Sequence, residues 1–351
     1  MTLQRWIRRT AIVGLTAIAL VLSGCGLFKA EETDGQIDPP QLEYDLDAEL
    51  GIDQLDHEVM AQVGKEAPVT LYFKDPNGYV APVGMRIPFQ EDIGKLALTY
   101  MTDGGPADEM LPEGFTALIP QGTKVLAMDI REGLATVDFS EDFTDYNPQD
   151  ERKILEAVTW ALTGFNSIDR VQFWVAGKPL KQMPKDSTPL DEPLSRVMGI
   201  NLEIGEDVNP SVASAVTLYF QGQAGGDYPY YVPVTRLIRH TEDMTLAAVE
   251  ELVEGPSSRS GLYAVLSSGT EVLNVSLNKD TVVVNFADNP NEDDAQLSKA
   301  AVEAVILSLT EQTGLSKVQI MVDGKAGIKV GSKTEFASPV TRPAQLNPVK
   351  L

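Results

Sequence analysis

The chain has 351 residues and carries 28 Lys and Arg against 51 Asp and Glu, a net charge of −23 at pH 7. That sign repels phosphate backbones and anionic head groups, so it excludes nucleic acid as a partner and a basic face as the means of membrane attachment. One cysteine and two histidines exclude a disulfide framework and leave no Cys/His cluster for zinc.

The first 24 residues read as an address. Arg5, Arg8 and Arg9 precede an apolar run over 11–22, shorter than the roughly 20 helical residues that a bilayer core needs. Leu22-Ser23-Gly24-Cys25 follows and resembles a bacterial lipobox. The resemblance implies that Cys25 is acylated and becomes the mature N-terminus, which makes the chain a lipid-anchored extracytoplasmic protein of the cell membrane. Residues 25–65 are acidic, contain Asp38-Pro39-Pro40 and read as a flexible tether, with a short helix at 50–63.

Beyond the tether the chain repeats itself. Val69-Thr70-Leu71-Tyr72-Phe73 returns as Val216-Thr217-Leu218-Tyr219-Phe220, a step of 216 − 69 = 147. Gly122-Thr123 and Val171-Gln172 return at the same step. Pro82-Val83 returns as Pro233-Val234, a larger step, so the insertions fall in loops. The expected organisation is a first domain over 66–182, a Pro-rich linker over 183–212, a second domain over 213–330 and a C-terminal tail over 331–351. Each domain should own a private core, and 66–182 should fold alone. The linker reads as extended and partly stiff. The tail should lie along the second copy or fray.

Each copy opens on a strand of period two at 69–73, a turn at 75–78 and a second strand at 79–87. An amphipathic helix follows at 90–101, with its counterpart at 244–253, each stopped by Gly-Pro. A hairpin is predicted at 123–130 and 134–139, repeated at 271–277 and 282–286. A longer helix at 151–165 places Leu155, Val158 and Leu162 on one stripe, recurring as Val302, Val305 and Leu309. A strand at 170–175, repeated at 317–322, closes the unit. The order ββαββαβ predicts an α+β fold of two tandem domains, each with two helices packed on one sheet. Trp160 and Trp174, replaced by Leu307 and Met321 in copy two, are expected in the core.

A lipobox, two copies that open Val-Thr-Leu-Tyr-Phe, Gly105-Pro106 and Gly255-Pro256, Gly122-Thr123 and Gly269-Thr270, and hairpins ending Val137-Asp138-Phe139-Ser140 and Val284-Asn285-Phe286 are together similar to the GerM lipoproteins of endospore formers, with tandem GerMN domains. The closing Pro339, Arg342-Pro343 and Asn347-Pro348 agree. The resemblance implies a fold akin to ring-building modules and a role in sporulation and germination. It places the protein on the outer forespore membrane facing the intermembrane space, among protein partners of a trans-envelope channel complex, with self-assembly possible. Asn285 stands where copy one has Asp138, so no shared chemical role is assigned to that position.

No nucleophile elbow or phosphate-binding glycine loop occurs, and no cofactor or metal is expected. Asp138, Glu141, Asp142 and Asp145, with Asp288, Glu292, Asp293 and Asp294 in copy two, precede the long helices. They read first as helix-start acids, with calcium binding or sugar hydrolysis as alternatives. His57 lies in the tether, and His240 reads as exposed or helix-capping. Tyr228, Tyr230 and Tyr231 crowd the longer hairpin of copy two and are candidate protein-contact residues. The reading is a non-catalytic scaffold; the alternatives are a peptidoglycan-binding or peptidoglycan-modifying protein and a small-ligand sensor using a cleft between the copies.

Overall fold

The computed structural model describes residues 66–225, 228–288, 297–330 and 333–349. Cys25, His57, the tether, its expected helix, and Glu292, Asp293 and Asp294 lie outside the described residues. No helix among the described residues is long and apolar enough to cross a membrane.

Copy one starts with the antiparallel hairpin β1 (Glu66–Lys74) and β2 (Val80–Pro88). Helix α1 (Ile93–Tyr100) is shorter than its apolar stripe predicts, with Asp92 at its N-cap. Strands β3 (Val125–Arg131) and β4 (Leu134–Phe139) form the second hairpin, helix α2 (Glu151–Leu162) crosses over, and β5 (Arg170–Val175) and β6 (Lys178–Pro179) follow. The crossover makes β4 and β5 parallel, in the sheet order β3-β4-β5-β6.

Copy two repeats this plan. Hairpin β8 (Ser214–Ala224) and β9 (Tyr228–Ile238) precedes α3 (Met244–Glu254), then β10 (Val272–Asn278), β11 (Thr281–Phe286), α4 (Lys299–Thr313), β12 (Lys317–Val322) and β13 (Lys325–Ala326). The sheet order β10-β11-β12-β13 mirrors copy one. The parallel pairs Leu134↔Arg170 and Thr281↔Lys317 stand in the same register. The tandem α+β architecture is thus as the sequence predicts. Within each copy the strands divide into a hairpin and a mixed sheet, hydrogen-bonded separately.

The helices pack as their stripes dictate. Leu155, Val158 and Leu162 are buried, as are Val302, Val305 and Leu309. Ser298 caps α4 by accepting from Ala301 N at 3.0 Å, and Asp243 caps α3 by accepting from Leu246 N at 3.0 Å. Trp160 is buried, but Trp174 is only half-buried: strand alternation turns it away from the face on which Val171 and Phe173 are buried. A shared apolar character at 174 and 321 therefore marks a half-covered outer face, not the core.

Two expectations about organisation change. One cluster of buried apolar residues runs through both copies, beside a small second one of Tyr219, Leu307 and Leu346, so the copies do not have two private cores. The linker is also no simple spacer. It forms a 3-10 turn at Arg196–Met198 and a short strand β7 (Glu203–Ile204) that pairs parallel with β9. The tail forms β14 (Ile328–Val330), β15 (Lys333–Glu335) and β16 (Val340–Thr341), which pairs with β12, and then crosses to copy one, where Pro348 bridges Gly84.

Candidate functional site

The polar chemistry of the molecule concentrates where the copies meet. After copy one the chain reads Arg196-Val197-Met198-Gly199-Ile200-Asn201; after copy two it reads Arg342-Pro343-Ala344-Gln345-Leu346-Asn347. Arg, a branched aliphatic residue and Asn recur at one spacing, so the duplication extends through the linker and the tail. Each segment is a strap across the seam.

The two asparagines bind in exchanged fashion. Asn201 accepts from Val80 N at 2.8 Å and donates to Val80 O at 2.8 Å and Pro233 O at 2.7 Å. Asn347 accepts from Tyr231 N at 2.8 Å and donates to Tyr231 O and Pro82 O, both at 2.8 Å. Pro82 corresponds to Pro233, and Val80 to Tyr231. Each side chain therefore holds the peptide groups of one hairpin and the proline carbonyl of the other, with the copies swapped. That is the contact pattern of a two-fold interface, built here within one chain. Both asparagines have φ of 50°, a left-handed conformation that Asn tolerates better than most residues. Gly84 lets the tail approach: a Cβ there would lie 2.8 Å from Leu346 O.

The arginines follow the same rule and then break it. Arg196 donates to Thr163 Oγ1 at 3.0 Å and Trp160 O at 3.3 Å, with its guanidinium 4.5 Å from the Trp160 ring centre. Arg342 donates to the corresponding Thr310 Oγ1 and Leu307 O, both at 2.8 Å, and stacks over Tyr219 at 5.3 Å. Both arginines then converge on one carboxylate. Glu311 Oε1 lies 2.7 Å from Arg196 and Oε2 2.9 Å from Arg342, and Tyr219 OH donates to Oε2 at 3.1 Å. The matching position of copy one is Gly164. Burial would raise the Glu311 pKa, but the charges of Arg196 and Arg342 prevail and hold it below the ordinary value.

Glu151 and Arg236 fasten the linker. Glu151, buried at the start of α2, accepts from Tyr146 OH at 2.7 Å, from Lys185, Asp186 and Thr188 N at 3.0, 2.8 and 2.9 Å, and from Thr188 Oγ1 at 2.7 Å. Burial opposes its ionisation, yet the bonds from Asp186, Thr188 and Tyr146 bring its pKa down to about 2. Arg236, only 6 % exposed, pairs with Glu203 of β7 at 3.0 Å and Glu251 of α3 at 2.9 Å.

The three tyrosines of the long hairpin all find partners within the chain. Tyr230 is buried, donates to Asp75 Oδ2 in copy one at 2.7 Å and packs edge-on against Phe115 at 4.9 Å. Tyr228 donates to Asn347 O at 2.7 Å, and Tyr231 to Glu303 Oε2 at 2.8 Å. Tyr228 and Tyr230 reach Phe115 because the longer β8–β9 hairpin extends over copy one, whereas Tyr231 stays on α4 of its own copy.

The acidic residues predicted to open α2 are placed elsewhere. Glu141 and Asp142 sit in a 3-10 turn over Glu141–Thr144, with Asp145 at its end. A second turn, Pro148–Asp150, capped by Asn147, separates them from α2. Asp142 accepts from Ser140 Oγ at 2.8 Å. Asp138 accepts from Gly177 N at 3.0 Å, and Asn285 accepts from Gly324 N at 2.9 Å. Position 138/285 does have a shared role, anchoring the β5–β6 and β12–β13 turns. It needs only an acceptor oxygen, so acid and amide serve equally. In copy two, Asp288 N donates to Asp323 at 3.2 Å. His240 is exposed, 3.3 Å from Ser214 Oγ. Among the described residues no group of three or more His, Cys, Asp or Glu is placed to hold a metal ion. A cleft between the copies, lined by Tyr79, Asn201, Leu202, Phe220 and Arg259 among others, measures about 220 Å³, below the range of about 300–1,000 Å³ for small-molecule sites.

In the sequence Arg342 and Asn347 enter only through the family resemblance, and Arg196, Asn201 and Glu311 not at all. The Arg-x-x-x-aliphatic-Asn repeat was the available signal, hidden by proline-rich surroundings and by a step one residue short of the copies' own.

A family profile named Germane and described as "Sporulation and spore germination" matches residues 70–181 and 217–327. The chain is 35% identical to the spore germination protein GerM of Bacillus subtilis strain 168, over 96% of this chain and 97% of that protein. The solved tandem GerMN domains of the sporulation protein GerM from Bacillus subtilis superpose with a TM-score of 0.73 at 35% identity, covering 81% of this chain and 100% of theirs. The solved first GerMN domain of that protein is 44% identical over 37% of this chain and 98% of its own, with a TM-score of 0.36.

Proposed function

The chain belongs to the Germane family of sporulation and spore germination proteins, and we propose that it works there as a non-catalytic, lipid-anchored interaction module. Acylation at Cys25 holds it on the extracytoplasmic side of the membrane, in sporulating cells the outer forespore membrane. The two copies present a rigid surface to protein partners of a trans-envelope channel complex. The observation that carries the reading is the seam: Asn201, Asn347, Arg196, Arg342 and Glu311 are engaged in joining the copies. Chemistry of this kind fixes the relative position of two modules, as a scaffold requires.

The test has two arms. Cys25→Ala should move the protein from the membrane fraction to the soluble extracytoplasmic fraction; retention on membranes contradicts the anchor. Crosslinking of the wild-type chain in sporulating cells, followed by identification of the adducts, should recover envelope proteins. Purified chain that modifies peptidoglycan, with the activity abolished by Asp138→Asn, Glu141→Gln and Asp142→Asn together while the fold is kept, would replace the scaffold with an enzyme.

A further inference from the structure

The outer strand of each mixed sheet has a hydrogen-bonded neighbour on one side only. Strands β3 and β10 lie at the ends of their sheets, and each starts with the same register shift, between Val125 and Ala127 and between Val272 and Asn274. Each exposes apolar side chains at matching places: Leu126 (50 %) and Ile130 (45 %) in β3, Leu273 (46 %) and Leu277 (60 %) in β10. Edge strands ordinarily carry charges that discourage pairing with another chain. Strand β3 has them, in the exposed Asp129–Arg131 pair. Strand β10, Val-Leu-Asn-Val-Ser-Leu-Asn, has none.

The backbone of β10 is set for addition of a strand. Lys279 and Asp280 form a two-residue turn, so the flanking Asn278 and Thr281 face one another with their peptide groups paired. Alternation then turns the N–H and C=O of Leu277 and Val275 to the open edge. No other backbone group among the described residues bonds them. The flanks of the strand carry opposite charges, exposed Glu271 before it and exposed Lys279 after it.

We propose that β10 is a dimerisation strand that pairs antiparallel with β10 of a second copy of this chain, about a two-fold axis at Val275. This register brings the outward peptide groups of the two Val275 residues together. It brings the Glu271 end of each strand beside the Lys279 end of the other, beyond the register shift between Val272 and Asn274. Charge also selects the partner strand. In β3 the flanks are reversed, with Lys124 before and Glu132 after. Pairing β10 with β3 of another chain in the matching register would set Lys279 against Lys124 and Glu271 against Glu132. Self-pairing of β10 is thus favoured over cross-pairing by built-in repulsion. The proposal is independent of which envelope proteins the module engages.

The experiment is sedimentation of the full chain in detergent solution over a concentration series, with circular dichroism of every variant. The wild type should show a reversible monomer–dimer equilibrium. Glu271→Lys alone, or Lys279→Glu alone, sets like charges together at both ends and should weaken the dimer roughly tenfold. The double exchange Glu271→Lys with Lys279→Glu should restore it, and mixing the two single variants should restore it as a heterodimer. These side chains are exposed, so the variants keep the fold. A second arm uses Val275→Cys in a Cys25→Ala background. Oxidation should give a covalent dimer through residue 275, whereas Asn278→Cys, off the axis, should not. A monomeric wild type at all concentrations, single variants that dimerise as well as the wild type, or a double exchange no better than the singles would each overturn the proposal, as would equal crosslinking at 278.

Discussion

Arg196 and Arg342 hold equivalent places in the two straps and make equivalent bonds to Thr163 and Thr310, yet only copy two supplies a carboxylate between them. A strictly two-fold pair would have either two acids at this point or none. One acid shared by two arginines satisfies both with a single buried negative charge. The duplicated chain can do this because its copies are free to diverge, which the subunits of a homodimer are not. The asparagines show the opposite case: their bonds to Val80 and Pro233, and to Tyr231 and Pro82, have been kept alike in both copies.

The largest effect should come from breaking the point where the copies differ. Glu311→Gln leaves two arginines largely buried without a counter-charge and should cost about 3–5 kcal/mol, read as a fall in the urea midpoint. Glu151→Gln comes next. Its folded pKa is depressed to about 2, so its stabilisation is present above the unfolded carboxyl pKa and is lost as pH falls from about 4.3 toward 2. At pH 7 the substitution should cost on the order of 3 kcal/mol, and the variant's stability should vary less with pH across that window.

Asn201→Ala and Asn347→Ala sharpen the comparison from its symmetric side. Each strands peptide groups of both hairpins and should cost about 2 kcal/mol, with the two losses alike in urea unfolding. Unequal losses would show that the exchanged geometry does not mean exchanged energetics. A milder test equalises the copies. A Cβ at Gly164 would lie 3.9 Å from Arg196 Nη2, so Gly164→Glu in the Glu311→Gln background should recover part of the lost stability. The smallest effect belongs to Asp138→Asn, which should shift stability by less than about 0.5 kcal/mol, because Asn285 already makes the same bond in copy two.

The repeated body of the fold was legible because its signals are periodic. Alternation in 69–73 and the stripe Leu155, Val158, Leu162 each report a buried face, and the copy at the same step repeats the report. Single residues were less legible. Glu151 looks like any acid at a helix start, and only the fold brings Lys185, Asp186 and Thr188 to it. Tyr230 reads as a candidate contact for another protein because its hairpin is long, whereas the extra length lets it reach Asp75 in the other copy. The straps escaped because Asn201 and Asn347 lie in no regular element, and proline-rich segments suggest spacers. Their role comes from the hairpins they touch, which are remote in sequence.

Two copies joined by these straps should behave as one folding unit. Amide hydrogen exchange under native conditions, resolved over α2 in copy one and α4 in copy two, tests it most directly. Both helices should share one opening free energy in the wild type, separating into two values in Glu311→Gln with Asn347→Ala. Two distinct values in the wild type, unchanged by that pair of substitutions, would contradict it.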